Sequence, residues 1–474
     1  MINTHRIFEF FNEICNIPHK SGHTNEIREY LVNFAKKNSF DYVVDKGGNV
    51  VIKKSSNNEK EPVILQAHMD MVAVSVDKDL DMTKAKIETY IENGYLRAKG
   101  TSLGADDGIG MAYILALLEE NNSLFPPIEA LFTVDEETGM DGAVNLEMNN
   151  LKGNRIINLD SEDEGELLSS SAGGAHFTEY YSVEKDEMDG QVIQVEVNGL
   201  YGGHSGQEIA RCGANAIKEL LNLLNILNNT TDSRVLSIEG GEALNIIPKN
   251  AFGTIVSNNT DAINRVIDSF NKELKELYKS TDPNAKTTFT ILSDKKIKHT
   301  VINQQSFKKF ICSIDGLKHG VIEYAKDDKD FVTLSENYGK IKYAKDDEQI
   351  SLYISIRSND DDRKKEYLNE IENKFKNSTS LKYVIDSIYP AWKYQPSDLR
   401  KIMKKVYREM YGKDMLEKKI HAGLECGYFI EKRPSIDATS IGPNVKNVHT
   451  TDEMLDIESA KRVYEYLCKV LEAL

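Results

Sequence analysis

Cysteine is sparse and unpaired in this 474-residue sequence: Cys15, Cys212, Cys312, Cys426 and Cys468 are far apart, and none stands in a C-x-x-C spacing. That scatter excludes a cysteine-based zinc finger and a disulfide framework, and it fits a reducing cytosol. Positive charge is also in deficit, with 59 Lys and Arg against 75 Asp and Glu and a net charge of −16. A phosphate backbone would be repelled by most of such a surface, so no nucleic-acid partner is expected, and the acidity serves solubility. No run approaches the roughly 18 apolar residues of a membrane span, so no membrane is expected either. The opening stretch MINTHRIFEFFNEICNIPHKSGHTNEIREYL spaces its apolar residues as a helix does, with no charged segment leading into a continuous apolar core, so it does not read as a signal peptide. Low-complexity tracts and short-period repeats are missing too. The expectation is a cytoplasmic protein of about two to four domains, large enough for an enzyme.

The part of the chain that precedes SSSAGGAHFTEYY alternates between two textures. EIREYLVNFAKKN and GIGMAYILALLEEN predict helices, whereas PVILQAHMDMV, PIEALFTV and RIINLD predict strands. Such alternation predicts an α/β fold with a mostly parallel central sheet flanked by helices. In sheets of this kind ligands gather outside the carboxyl ends of the strands. After SSSAGGAHFTEYY the strands QVIQVEVNGL, TTFTILS and QISLYISIRSN alternate apolar and polar residues, interleaved with helices such as GANAIKELLNLLNILNN. This predicts an inserted α+β domain. Helical patterns resume at PSDLRKIMKKVYREMYG and SAKRVYEYLCKVLEAL, which return the chain to its first domain. The expected boundaries are 1–185 and 389–474 for the first domain, in two segments, and 186–388 for the insertion.

Polar residues of one chemical type leave the ends of the apolar segments. In VILQAHMDMV, His68 and Asp70 are two apart on a strand and project from one side. They read either as a core histidine bonded to an aspartate or as a metal ligand oriented by a carboxylate. GTSLGADDGIGMA places Asp106 and Asp107 before a helix, FTVDEETGMDGA places Glu136 and Glu137 beyond a strand, RIINLDSEDEG ends a strand at Asp160, and GPNVKNVHTTDE offers His449 in a loop. Singly, these are also readable as a helix N-cap or a solvated acidic turn. Together, at one edge of a parallel sheet, they would form a concentrated negative cluster, which one or two divalent ions would neutralise. Nitrogen and oxygen donors without cysteine suit zinc, manganese or cobalt, and two histidines favour zinc. A carboxylate such as Asp106 has two oxygens and can bridge ions about 3.5 to 4 Å apart, as in two-metal hydrolases.

These residues sit in QAHMDMV, GTSLGADDGIGMA, EETGMDGA, NLDSEDEGE, GLYGGHSGQEI, HAGLECGYF and SIGPNVKNVHTTDE, and in that order the segments resemble the aminoacyl-histidine dipeptidase family of the dinuclear zinc amino- and carboxypeptidase clan. The resemblance extends over nearly the whole chain. It implies a zinc-peptidase-like catalytic domain with an inserted lid and dimerisation domain, a homodimer, and hydrolysis of dipeptides of the Xaa-His and β-alanyl-histidine type. It also implies two zinc ions, or cobalt or manganese in their place: His68 and Asp160 on one, Glu137 and His449 on the other, and Asp106 bridging. Asp70 would orient His68, and Glu136 would be the general base; sequence alone does not tell Glu136 from Glu137.

His204 of GGHSG would supply a donor to the oxyanion, unless the segment is only a glycine-rich turn. Arg357 in YISIRSN would hold a substrate carboxylate, or is a solvent-facing arginine on an alternating strand. Asn245 in EALNIIPKNA would place an amide near the substrate or merely end a strand. Glu425 would meet the free ammonium of the peptide, and its neighbour His421 would tune or pack against the pocket. One departure is Asp107, where the family often has asparagine; the wider clan uses aspartate there. Two rival readings remain: an aminoacylase or amide deacylase with the same metal centre, and an inactive metal-binding oligomeric protein.

Overall fold

A computed structural model describes residues 3–56, 58–375 and 381–474. The chain divides into two compact units, one of Met1–Ser170, Trp392–Lys419 and Leu424–Leu474, the other of Ser171–Ala391 and Ile420–Gly423.

In the first unit the segments Ile128–Thr133, Val63–His68, Arg155–Asn158 and Asp437–Ser440 lie side by side as parallel strands. Every residue of Val63–His68 and Ile128–Thr133 is buried. Parallel strands are covered on both faces, which is why these segments are nearly unbroken apolar runs rather than alternating ones. Antiparallel strands Val50–Lys54 and Asp41–Val44 extend one side of the sheet, and Glu166–Leu168 and Leu416–Lys418 the other. The Ala105–Glu119 helix is apolar all round and buried from Gly108 to Leu118. A helix of that composition needs neighbours on every side, and it shares one core with the sheet, the His5–Cys15 helix and the Ile457–Ala473 helix. Tyr113 stacks obliquely on Tyr464 and donates its hydroxyl to the Ala460 carbonyl at 2.8 Å. The common direction of the four strands brings their carboxyl ends to one edge, with His68 opposite Thr133 and Gln66 opposite Asn158.

The second unit is built on a nine-stranded antiparallel sheet with Lys286–Ile302 and Leu381–Tyr389 at its edges. Alternate residues of Gln349–Ser358, namely Ile350, Leu352, Ile354 and Ile356, enter a core completed by the helices Ala216–Thr230, Thr260–Leu277, Gln304–Ser313 and Asp361–Phe375. The change of unit falls at Ser171, not at the 185/186 boundary drawn from texture. Gly173–Ser182 pairs along its length with Gln349–Ser358, so it belongs to the second sheet. Pairing partner decides the unit, and the partner is far away in sequence. For the same reason Ile420–Gly423 joins the second unit although its flanks belong to the first.

Glu179 and Glu336 are among the buried carboxyl groups of the second unit. Glu336 accepts the Tyr367 hydroxyl at 2.6 Å and Glu179 accepts the Ser313 hydroxyl at 2.8 Å, while Glu336 Oε1 and Glu179 Oε2 have no partner. Burial pushes Glu336 up to about 8 and Glu179 up to about 7, against about 4.3 for an exposed glutamate. Between those values the folded chain keeps protons that the unfolded chain has released, so stability falls as pH rises. We predict that the urea midpoint of the second unit falls between about pH 5 and about pH 8, and that the Glu179→Gln, Glu336→Gln double variant falls less steeply. An unchanged slope in the double variant would contradict this.

Candidate metal centre

His68 ends its strand with Nε2 at 2.9 Å from Asp106 Oδ1 and 3.7 Å from Asp160 Oδ1. His449 Nε2 lies 2.9 Å from Glu137 Oε1 and 3.3 Å from Asp106 Oδ2. Asp106 therefore turns one oxygen to each histidine. The five side chains form a row from Asp160 through His68, Asp106 and His449 to Glu137. Sequence separation hides this row: His68, Glu137 and Asp160 are brought together by parallel strands, Asp106 by the start of the Ala105–Glu119 helix and His449 by a loop.

Backbone groups hold the row in place. His68 Nδ1 donates to the Asp70 main-chain carbonyl at 2.8 Å, closer than the Asp70 carboxylate at 3.5 Å. That bond makes Nδ1 a donor and leaves Nε2 as the ring nitrogen that faces the carboxylates. The Asp70 carboxylate accepts instead from the Ser21 hydroxyl at 2.7 Å, from the Glu136 N–H at 3.0 Å and from the Glu137 N–H at 3.4 Å. It thus ties the acidic turn to the end of the His68 strand. Asp107, which the sequence marks only as a departure from pattern, is buried and accepts the His68 N–H and the Gly110 N–H, both at 3.2 Å. Donor atoms of His68, Asp107 and Asp160 lie within 4.8 Å of one another, as do those of His68, Asp106 and Glu137. The difference between the two aspartates is that Asp107 has both oxygens on backbone amides, whereas Asp106 has both facing histidines.

Charge is badly balanced among these side chains. Burial, followed by the charge of Asp106, pushes Asp160 up to about 7, and burial with the charges of Asp106 and Asp160 pushes Glu162 up to about 8. Burial and Asp160 also raise Glu136 well above the usual carboxylate range. His449 is driven the other way: burial opposes its charge, but Asp106 and Glu137 outweigh it and hold the ring at about 11. Glu137 Oε1 is buried and accepts no aligned hydrogen bond, although His449 Nε2 is close. An orphaned buried oxygen, repelling carboxylates and two imidazole nitrogens aimed at them fit divalent cations, and oxygen and nitrogen donors without thiolate fit zinc, manganese or cobalt.

Glu425 lies against the strand ends of the first unit. It has no exposed surface, and one oxygen accepts both Gln66 Nε2 at 2.6 Å and the Thr133 hydroxyl at 2.8 Å. Gln66 in turn accepts Asn158 Nδ2 at 2.6 Å. The Glu425 side chain thus links two strands just behind the row of ligand-type residues, and its other oxygen, Oε1, is buried without a hydrogen-bond partner. Burial pushes it up to about 8.

The other predicted residues gather within the second unit. Arg357 is buried and donates to the Tyr389 hydroxyl at 3.0 Å, to the Ser205 hydroxyl at 3.4 Å and to His204 Nε2 at 3.4 Å. The solvent-facing alternative for Arg357 is thereby removed. His204 pairs across a short ribbon with Ile246, and the Ser205 N–H donates to the Asn245 carbonyl at 2.8 Å, so Asn245 sits beside the GGHSG turn. His421 donates from Nδ1 to Asn359 Oδ1 at 2.7 Å and accepts the Ser335 hydroxyl on Nε2 at 2.8 Å. Burial, with Arg357 and His204 nearby, lowers it to about 3, so it stays neutral and serves packing. Ser21, Gln66 and Tyr389 escaped sequence reasoning.

Residues 64–473 match the model of peptidase family M20/M25/M40. The cytosol non-specific dipeptidase of Escherichia coli (strain K12) is 33% identical over 477 residues, covering 98% of this chain and 97% of that protein. The crystal structure of aminoacylhistidine dipeptidase from Vibrio alginolyticus superposes with a TM-score of 0.83 at 32% identity, covering 100% of this chain and 97% of that one. A tripeptidase from Staphylococcus aureus, at 17% identity with a TM-score of 0.57 and coverage of 100% and 98%, shares the fold.

A Cβ on Gly110 would collide with the Asp107 carboxylate. We predict that Gly110→Ala costs about 1 to 3 kcal/mol in urea unfolding, the usual range for overpacking. The loss should shrink in an Asp107→Ala background, because the collision is then gone. Equal losses in both backgrounds would show that Asp107 is not the obstacle.

Proposed function

The chain belongs to peptidase family M20/M25/M40, and from that premise we propose that it hydrolyses the peptide bond of dipeptides, with Xaa-His and β-alanyl-histidine among its substrates, at a two-metal centre in the first unit. The observation that carries this reading is Asp106 with one oxygen toward His68 and the other toward His449. His68 and Asp160 would hold one ion and Glu137 and His449 the other, with Asp106 shared between them. When bound, a pair of zinc ions, or cobalt or manganese, supplies Lewis acidity toward the scissile carbonyl and the attacking water. Asp107 stays out of this set because its oxygens are spent on backbone amides.

Glu136 takes the proton from the water and returns it to the leaving amine. Asp70 holds the Glu136 N–H, and so fixes the turn from which the base projects. The second unit acts as lid and dimerisation domain in a homodimer. There His204 donates to the oxyanion, and Arg357, aligned by Tyr389 and Ser205, takes the substrate carboxylate with Asn245 beside it. His421 supports this cluster through Ser335 and Asn359. The names of the two similar proteins, a non-specific and an aminoacylhistidine dipeptidase, support a dipeptide substrate and leave the breadth of the second position to measurement. A cytoplasmic location is supported by the cysteine pattern and by the name of the E. coli protein.

The test is a panel of β-alanyl-histidine, ordinary Xaa-His dipeptides, other dipeptides and N-acyl amino acids, run with and without chelator and with zinc, cobalt or manganese restored. Dipeptides should be cleaved, with activity lost on chelation and recovered on readdition. Turnover of N-acyl amino acids alone would identify an amide deacylase instead, and two bound ions without any amidase activity would identify a binding protein. Glu136→Gln should lower kcat by about 10²- to 10⁴-fold while the variant still binds metal. Asp70→Ala should lose activity severely with its fold intact; wild-type turnover and zinc affinity would contradict the role given to Asp70.

A further inference from the structure

The amino end of the Ala105–Glu119 helix is held by a carboxylate from the far end of the chain. Glu453, 3% exposed, accepts the N–H groups of Leu103 at 2.8 Å and Gly104 at 3.0 Å on Oε2, and those of Ala105 at 2.8 Å and Asp106 at 3.4 Å on Oε1. A helix start leaves its first amides unbonded and carries a partial positive charge, so a carboxylate that faces two of them and the two amides just before makes charge-assisted bonds with both oxygens. The fourth bond reaches the peptide N–H of Asp106 itself.

Glu453 also belongs to the loop of His449. In that loop the His449 side chain is 46% exposed, and His449 and Asn447 both have left-handed backbone angles, φ +62° and +55°. Its internal ties are the Thr450 hydroxyl to the Asn447 carbonyl at 2.7 Å, the Asp452 N–H to the Thr450 hydroxyl at 3.1 Å, Asn447 Nδ2 to the Asp452 carbonyl at 3.4 Å and the Glu453 N–H to the Thr450 carbonyl at 3.3 Å, and Val445–Lys446 pairs with Met454–Leu455 at its base. After Glu453 the chain enters Met454–Asp456, which pairs with Tyr95–Ala98. The carboxylate of Glu453 thus joins the backbone that presents Asp106 to the loop that presents His449, whose facing atoms are 3.3 Å apart.

We infer that Glu453 is a positioning residue that sets the Asp106–His449 spacing and thereby the affinity for the ion held on that side; this rests on the reading of Asp106 and His449 as ligands. Replacement by glutamine keeps the shape but turns one acceptor oxygen into an NH₂ that faces two N–H donors. The loop then loses its anchor while the ligands themselves remain.

The experiment compares zinc affinity, by competition with a chromophoric chelator, and the visible spectrum of the cobalt-loaded protein, in wild type, Glu453→Gln, His449→Ala and the double variant. Glu453→Gln should weaken binding of one ion by about 10- to 100-fold, the range for residues that orient ligands, and should shift the cobalt spectrum. Glu453→Asp should fall between wild type and Glu453→Gln; if Glu453→Gln does not fold, Glu453→Asp takes its place in the comparison. In the His449→Ala background the same substitution should add nothing. A helix cap alone would leave affinity untouched, or would lower it equally in both backgrounds, and either result overturns the inference. Failure of the wild-type chain to bind zinc or cobalt overturns the metal-centre reading beneath it, a distinct outcome.

Discussion

Mutual repulsion among carboxylates crowded at one edge of a parallel sheet is the constraint around which the first unit is organised. The fold resolves it in two ways. Asp70, Asp107 and Glu453 are each satisfied by backbone amides, those of Glu136 and Glu137, of His68 and Gly110, and of Leu103 to Asp106. Asp106, Asp160 and Glu137 receive no such set; they face imidazole nitrogens and one another. The amide-bound carboxylates are the frame, and the others are what the frame holds apart for cations. The separation also explains why so many charges survive burial here, since a buried carboxylate needs either donors or a cation.

The frame depends on strand direction. Because Val63–His68, Ile128–Thr133 and Arg155–Asn158 run the same way, residues shortly before the ligand-type positions also line up, and Gln66, Asn158 and Thr133 bond across the sheet, with Glu425 joining Gln66 and Thr133. These contacts fix neighbouring strand ends relative to one another at the level just below the site. In the second unit a comparable cluster surrounds Arg357, whose planar guanidinium is fixed by Tyr389, Ser205 and His204. A group held in that way loses little freedom when it meets a carboxylate.

The apolar strands and the ligand-type residues that leave them were legible in the sequence, because burial on both faces writes an unbroken apolar run and chemistry interrupts it at the end. His68, Asp106, Glu137, Asp160 and His449 were legible for that reason, with the family resemblance supplying the roles. Asp107 and Glu453 were not, since their meaning lies in amides they accept: Glu453 and Leu103 are 350 residues apart. The bonds of Gln66 and Thr133 to Glu425 were not legible either, since both residues lie far from it in the chain. The start of the second unit was misplaced for a related reason, as Gly173–Ser182 declares its sheet through Gln349–Ser358 and not through its own texture.

The most direct measurement is anomalous X-ray diffraction from crystals of the zinc-loaded protein, collected on both sides of the zinc absorption edge. The account predicts two anomalous peaks on either side of the Asp106 carboxylate, one beside His68 and Asp160 and the other beside His449 and Glu137. A single peak, or peaks next to Asp107 with Asp106 uninvolved, would contradict it.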